Sequence, residues 1–260
     1  MTLLFPLVDH QPARERVPFL GVRFDPIDEA EALAELLARD PNEDFAAVVT
    51  PNSDHLVRID RLGGEVAHAY DVAWLCLNDS RTVRLLGKFA GLDLPTVPGA
   101  NLVRDLFSAP GFDPAWPVLF VGSTPAVFET IVRGFKLKNA IHFDAPMGLL
   151  RDRRKFDDTV AFIEAHPARF ILLAVGSPQQ ELLAQRLKAR GKAKGIGLCI
   201  GAAMEFLAYP QRRAPDWISK IGMEWLFRLL REPRRLWRRY LVDSPQIVRL
   251  VFRNRLNRGK

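Results

Sequence analysis

The chain is poor in cysteine, in tyrosine and in long apolar runs. Among its 260 residues the only cysteines are Cys76 and Cys199, inside the apolar runs VAWLCL and GLCIGAA. Both thiols read as small buried core groups, with a disulfide or metal pair as the minor alternative, and a reducing compartment is expected. Nowhere do 18 uncharged apolar residues follow one another, which excludes a spanning helix. The five histidines, at 10, 55, 68, 142 and 166, show no ligand spacing, and D-x-D is absent. Nothing in the sequence therefore supports a metal-dependent mechanism. The opening run MTLLFPLVDHQPARERVPF has no charged leader ahead of an apolar block and cleavage site, and residues 1–17 are expected to form a flexible arm.

What is present is ordinary globular material with an uneven charge. Hydrophobic residues make up 48% and charged residues 26%, enough for one substantial core. The net charge of +7 hides an asymmetry. From Arg212 onward there are 14 Lys/Arg against 4 Asp/Glu, or +10, whereas the first 211 residues hold 23 against 26, or −3. A neutral body with a cationic tail predicts an anionic partner: phospholipid, nucleic acid or a diphosphate substrate.

Seven short apolar runs read as strands: PFLGVRF (18–24), FAAVVT (45–50), VAWLCL (72–77), VLFVG (118–122), AIHF (140–143), FILLAVG (170–176) and IGLCIG (196–201). Continuous apolar runs suit strands covered on both faces of a parallel sheet. Helical segments alternate with them. Asp25-Pro26 is expected to cap and start the first, with Leu33, Leu36 and Leu37 facing inward. TPAVFETIVRGF and SPQQELLAQRLKARG both open on Ser/Thr-Pro and close at a glycine. The repeated order strand, short loop, helix predicts an α/β fold, a Rossmann-like doubly wound, mostly parallel sheet. Residues 18–210 are assigned to this domain. Residues 211–260 hold only helical patterns and form a C-terminal helical appendage, with Pro233 and Ser244-Pro245 opening its later helices.

In open parallel sheets ligands bind beyond the carboxyl ends of the strands, so the residues just after each strand carry the interest. Thr50 and Asn52 follow the second run and can either cap the next helix or meet substrate. Asp79 follows VAWLCL, where it can cap the helix TVRLLGKF or, in a cleft, serve as general base. Gly122, Ser123 and Thr124 form a strand-to-helix turn of the kind that favours phosphate, a weak signal alone. Gly176 and Ser177 do the same ahead of Gln179, Gln180 and Glu181, where Gln180 can read a sugar or base or simply start a helix. The glycines at 195, 197 and 201 do not fit a dinucleotide fingerprint, because the first two open a strand and not a strand-to-helix turn.

With these residues laid out, the chain resembles the WecG/TagA/CpsF bacterial glycosyltransferases, family 26. The resemblance lies in VVTPNSDHLV, LCLNDSRTVRLLG, PTVPGANLVRDL, VLFVGSTPAVFE, DAPMGLL, LAVGSPQQE, IGAAMEFLA and RRAPDWISKIGMEWLFRLLREPRRLWRRYL, in order over residues 18–242. It implies an inverting, metal-independent hexosyltransferase, without a cofactor, moving a sugar from a UDP-sugar to a polyprenyl-diphosphate-linked sugar. The donor sugar would be N-acetylmannosamine, its uronic acid or glucose, and the product a cell-surface polysaccharide or exopolysaccharide. Such an enzyme works peripherally at the cytoplasmic face of the bacterial inner membrane, on anionic lipids; a homo-oligomer is left open.

By the same resemblance Asp79 is the catalytic base, Thr50 and Asn52 a T-x-N pair, and Gln180 a functional glutamine. Gly122, Ser123, Thr124, Pro146, Gly148, Gly176, Ser177, Gln180 and Glu181 would line the donor and its phosphates. Arg228, Arg235 and Arg238 would meet the acceptor diphosphate, with Trp225 and Trp237 facing core or lipid. One departure stands out: the family's D-G-x-G is Asp79-Ser80-Arg81-Thr82 here, so side chains replace free backbone. Two other readings of the basic tail remain, a nucleic-acid grip and a non-catalytic partner subunit. The tail's apolar pairs at 225/226, 229/230, 236/237 and 240/241 form a helical stripe that suits an anionic bilayer at least as well as a duplex.

Overall fold

In the computed structural model the described residues are 14–201, 203–210, 224–231, 233–238 and 246–258. Most of the expected arm, and the segments containing Ser244-Pro245, lie outside them. Six strands form the central sheet: β3 (Ala46–Val49), β4 (Leu75–Cys76), β5 (Val118–Gly122), β6 (Ala140–Phe143), β7 (Phe170–Ala174) and β8 (Ile196–Cys199). They lie in the order β4-β3-β8-β7-β5-β6, every neighbouring pair parallel. All six carboxyl ends therefore open on one edge, as expected for a Rossmann-like α/β fold.

The strands are apolar throughout because both faces are covered. Ala47, Val49, Leu119, Val121, Ile171, Leu173 and Cys199 point into one core. Ala46, Val48, Val118, Phe120, Phe170, Leu172, Ile196 and Leu198 point into the other. This is the two-residue alternation of a strand, with an apolar layer on each side. The first core is closed by α2 (Ser53–Leu62), α3 (Gly64–Asp71), α7 (Arg153–Ala165) and α8 (Gln179–Arg190). The second is closed by α1 (Glu29–Ala38), α5 (Gly99–Ser108), α6 (Pro125–Phe135) and α9 (Ala203–Ala208). Helix α4 (Arg81–Phe89) follows β4 and packs Val83 into the first core.

The first apolar run is not a strand of this sheet. It folds as an antiparallel hairpin, β1 (Val17–Phe19) with β2 (Val22–Phe24), paired Val17 to Phe24. Its turn residues Leu20 and Gly21 have φ of 51° and 80°. Two consecutive left-handed residues give the twist that a two-residue hairpin needs. Asp25 is likewise not the cap of α1. It is buried, its Oδ2 accepts from Cys76 N at 2.7 Å, and Arg16 donates to its Oδ1 at 3.2 Å. The cap is Asp28, in a reciprocal box with Glu31 that satisfies two otherwise orphaned helix N–H groups. Helix α6 also runs past Gly134 and stops at left-handed Lys136, not at the glycine.

The tail contributes three described helices, α10 (Glu224–Arg231), α11 (Pro233–Arg238) and α12 (Gln246–Arg258). The last of these packs on α2, burying Ile247 and Leu250 in the same core as Leu56 and Ile59. Leu230 and Trp237, on α10 and α11, are exposed. No helix among the described residues is long and apolar enough to cross a membrane.

Helices α1 and α5 meet through two carboxyl groups. Burial, then a shared hydrogen bond and the charge of Asp105, push Glu29 up to about 7. Burial works to raise Asp105 too, but hydrogen bonds from Arg104 and Glu29 hold it below its ordinary value. A carboxyl whose folded value is raised adds stability below its unfolded value of 4.5 and loses it as pH rises through about 7. Glu29→Gln keeps a donor to Asp105 at every pH. Its melting temperature should exceed that of the unaltered chain by a few degrees at pH 8.5, with the gap closing toward pH 4.5. A pH-independent difference in calorimetry would mean that the pair does not share a proton.

Candidate active site

The residues that follow β3, β8 and β7 form the middle of the carboxyl edge. Thr50, buried at the end of β3, donates its hydroxyl to Cys199 O on β8 at 3.3 Å. Gly99, the first residue of α5, lies on top of it. A Cβ at Gly99 would stand 3.2 Å from Thr50 Oγ1 and 3.4 Å from Ile200 Cγ2. The N–H of Gly99 donates to Asp79 Oδ1 at 3.1 Å, and Asp79 N donates to Pro51 O at 3.2 Å. Asp79 is thus half-buried between the end of β4 and the positive head of α5. It does not cap α4; Ser80 does, accepting from Val83 N at 3.3 Å.

The structure explains the Asp79-Ser80-Arg81-Thr82 departure in local terms. Ser80 is committed to the helix cap and to a hydroxyl contact with Ser53 at 3.2 Å, while Arg81 and Thr82 stand exposed on the first turn of α4. Sequence reasoning passed over Asn78. It is buried, its Nδ2 donates to Leu94 O and Pro95 O at 3.2 and 3.3 Å, and its Oδ1 accepts from Ser80 N at 2.9 Å. Val97 N donates to Asn78 O at 2.7 Å. One side chain therefore ties the loop that delivers Gly99 to the loop that delivers Asp79. Asn52 is the N-cap of α2, its Oδ1 accepting from Asp54 N and His55 N at 3.1 and 3.3 Å.

At the end of β5, Gly122 has φ of 87°, and a Cβ there would meet Ala174 O at 2.9 Å. Only glycine allows β7 to approach this closely. Ser123 is left-handed at φ 66°, an uncommon conformation for a residue with a side chain, and its buried hydroxyl has no partner among the described residues. Thr124 caps α6 through Val127 N at 3.4 Å. His142 Nε2 lies 3.2 Å from Gly122 O and its ring stacks on Phe128.

The β7 turn is denser. Arg58 donates to Ser177 O at 3.1 Å, and the Tyr70 hydroxyl lies 3.3 Å from both Ser177 Oγ and His55 Nδ1. Gln180 Nε2 donates to Glu181 Oε1 at 2.9 Å, and both residues are buried. Glu181 turns inward toward Tyr70 and His55, so it has no surface to offer a phosphate. Burial pushes its carboxyl up, with Gln180, its own backbone N–H, Ser177 and Tyr70 pulling back. Burial raises the Tyr70 and Cys199 groups as well. Gln179 folds back onto Val175 O at 2.7 Å. Helix α8 starts at Pro178 without a side-chain cap.

Asp79, Thr50 and Gln180 are therefore brought together around the end of β8. Gly122, Ser123 and Thr124 lie farther along the edge. Pro146 and Gly148 follow β6, the outermost strand on the opposite side from Asp79. With strands about 4.8 Å apart, five steps put about 24 Å between those strand ends. Trp237 is exposed on α11. The side chains of Trp225, Arg228, Arg235 and Arg238 lie outside the described residues, although their helices are placed. No cluster of three or more His, Cys, Asp or Glu suited to a metal occurs among the described residues.

A model of the glycosyl transferase WecG/TagA/CpsF family matches residues 17–260, nearly the whole chain.

Asn78→Ala would remove the side-chain bonds to the buried Leu94 carbonyl, the half-buried Pro95 carbonyl and the Ser80 N–H. It should cost roughly 2 kcal/mol or more of stability. A urea melt checks this; a loss under about 0.5 kcal/mol, the range of an ordinary surface change, would mean that the loops hold without it.

Proposed function

The chain belongs to the WecG/TagA/CpsF glycosyltransferases, and from that premise we propose that it transfers a sugar from a UDP-sugar to a polyprenyl-diphosphate-linked sugar, with inversion. Membership implies a sugar-nucleotide donor and a glycan acceptor; the donor, the lipid and the stereochemistry are the further step. The observation that carries it is Asp79, a carboxylate fixed by the N–H of Gly99 at the carboxyl edge, next to Thr50 and the end of β8. In a single displacement this carboxylate takes the proton of the acceptor hydroxyl as its oxygen bonds to the anomeric carbon. The C–O bond to UDP breaks, and its electron pair leaves on the diphosphate.

The leaving diphosphate needs positive or N–H groups. Helix heads supply them here. Helix α8 has no side-chain cap; Gln180 N–H already bonds Gly176 O and Glu181 N–H its own carboxyl, so the Gln179 N–H, beside Gly176 and Ser177, is the group proposed to meet a phosphate. The head of α6, behind Gly122, Ser123 and Thr124, is a second such place. Arg228, Arg235 and Arg238 are proposed for the acceptor diphosphate. No metal or other cofactor enters this reading. Of the sugars named, a glucosyl donor fits the altered Asp79-Ser80-Arg81-Thr82 stretch slightly better, as an expectation that only a donor panel decides.

The exposed Leu230 and Trp237 beside the arginines of α10 and α11 support a peripheral membrane contact on anionic lipids. Full-length protein should pellet with anionic vesicles at moderate salt, much less with zwitterionic ones. Binding to duplex DNA but not to vesicles at matched salt would instead favour the nucleic-acid reading.

The direct test is transfer from a panel of UDP-sugars to a polyprenyl-diphosphate sugar. Asp79→Asn keeps an oxygen for Gly99 N–H but cannot take a proton. It should fold normally and transfer at least about a hundredfold more slowly, the usual cost of losing a general base. Turnover near that of the unaltered chain would remove Asp79 from the role.

A further inference from the structure

Gln180 and Glu181 carry a feature that the reading above does not use. Both side chains are buried, exposed by only 2% and 1%, and Gln180 Oε1 has no partner among the described residues. Buried acceptors are almost always satisfied, so an orphan carbonyl needs a reason. Its direction supplies one. A Cβ at Gly201 would come 3.4 Å from Gln180 Oε1, closer than its 3.9 Å to Nε2. The carbonyl thus points at the bare turn after β8, in the middle of the carboxyl edge, where Gly201 leaves room for a ligand atom.

A side-chain amide can present either its oxygen or its nitrogen, and the neighbours decide which. Glu181 Oε1 takes the Nε2 end at 2.9 Å. A carboxyl oxygen that carries no proton can only accept, so the Oε1 that takes Nε2 cannot face the carbonyl. The carboxyl lies against the Tyr70, Ser177 and His55 cluster, with hydrogen bonds from Ser177 and Tyr70 and His55 Nδ1 4.0 Å from Oε1, where α8 packs on α3. Glu181 does not reach the turn at Gly201.

We propose that Glu181 is a positioning residue that fixes the Gln180 amide with its oxygen toward Gly201, so that the site reads a hydrogen-bond donor of the sugar nucleotide, a sugar hydroxyl or the uracil N–H. This rests on the sugar-nucleotide reading given above. It predicts that the two residues act as one unit. Glu181→Gln keeps the shape but lets the Gln180 amide sit either way round.

Calorimetric titration with UDP and with the preferred UDP-sugar, on the full chain, tests it. Glu181→Gln and Gln180→Leu should each weaken binding about tenfold, the scale of one hydrogen bond. The double variant should also be about tenfold weaker and not about a hundredfold, because Glu181 has nothing left to orient. Weakening of UDP as much as of UDP-sugar assigns the donor group to the uracil; weakening of UDP-sugar alone assigns it to the sugar, and either supports the proposal. Full binding by Glu181→Gln, or additive losses in the double variant, would overturn it. If the unaltered chain binds neither ligand, the sugar-nucleotide reading falls first and the proposal with it. A measurement on the unaltered chain covers the case in which Glu181→Gln does not fold. With glutamine-labelled protein, one Gln180 amide proton should resonate downfield and exchange slowly; rapid exchange of both amide protons would also overturn the assignment.

Discussion

The architecture depends on β8 fitting between β3 and β7. It is the last strand among the described residues, yet it occupies the centre of the sheet and bonds a strand on each side. Room for it is made by glycine. At Gly197 a Cβ would press to 2.4 Å from Phe45 Cζ, and at Gly195, with φ of 83°, to 2.0 Å from Ala168 O. Side chains at either place would push the neighbouring backbone or the Phe45 ring out of the core. Because β8 is seated there, its carboxyl end becomes the point on which Thr50 from one side and Gln180 from the other converge. The same glycines that suggest a nucleotide fingerprint in the sequence are therefore packing residues. What positions the site is the strand that they admit.

A polar carboxyl edge is partly a structural necessity, and the arrangement separates that part from the remainder. Every helix that begins there leaves N–H groups unsatisfied, and Asn52, Ser80 and Thr124 are each used to cap one. Asn78 is used to join two loops. Among the described residues, what such needs do not absorb is smaller: the anchored carboxylate of Asp79, the uncapped head of α8, the left-handed Ser123 with its unpartnered hydroxyl, and the oxygen of Gln180. These groups share one edge of one sheet. Acid–base chemistry beside anion-friendly helix heads is what a sugar transfer with a phosphate leaving group requires.

The alternation of strands and helices was legible because parallel strands buried on both faces leave uninterrupted apolar runs. VLFVG and AIHF match β5 and β6 to the residue. The hairpin was not, since its turn residues Leu20 and Gly21 sit inside an apolar run that reads as one strand. Asp25-Pro26 outweighed the capping pair Asp28 and Glu31, although that three-residue spacing was there to be read. The partners of Asp79 and Asn78 lie 16 to 20 residues away. No periodicity reports a contact of that kind. Glu181 was expected to line the donor and its phosphates, yet it is buried beside Gln180, which heads the stripe Leu183, Ala184 and Leu187 on the buried face of α8. Helical phase alone predicts burial at 180, and only the packed structure shows that its neighbour Glu181 joins it.

The tail reads differently once α12 is included. A cationic extension could hang free of the body, but Ile247 and Leu250 enter the core beside α2. At the other end, Ala203 and Met204 of α9 are buried against α5 and α6. Helices α10 and α11 are thus held between two anchored points, with Leu230 and Trp237 turned outward. Tethered at both ends, that apolar surface stays beside the sheet. If that surface meets a bilayer, the contact also sets the direction in which the carboxyl edge faces. An acceptor whose diphosphate lies at the membrane would then need its sugar hydroxyl to reach Asp79 from one fixed side. On that reading the tail would also help to choose the hydroxyl that attacks.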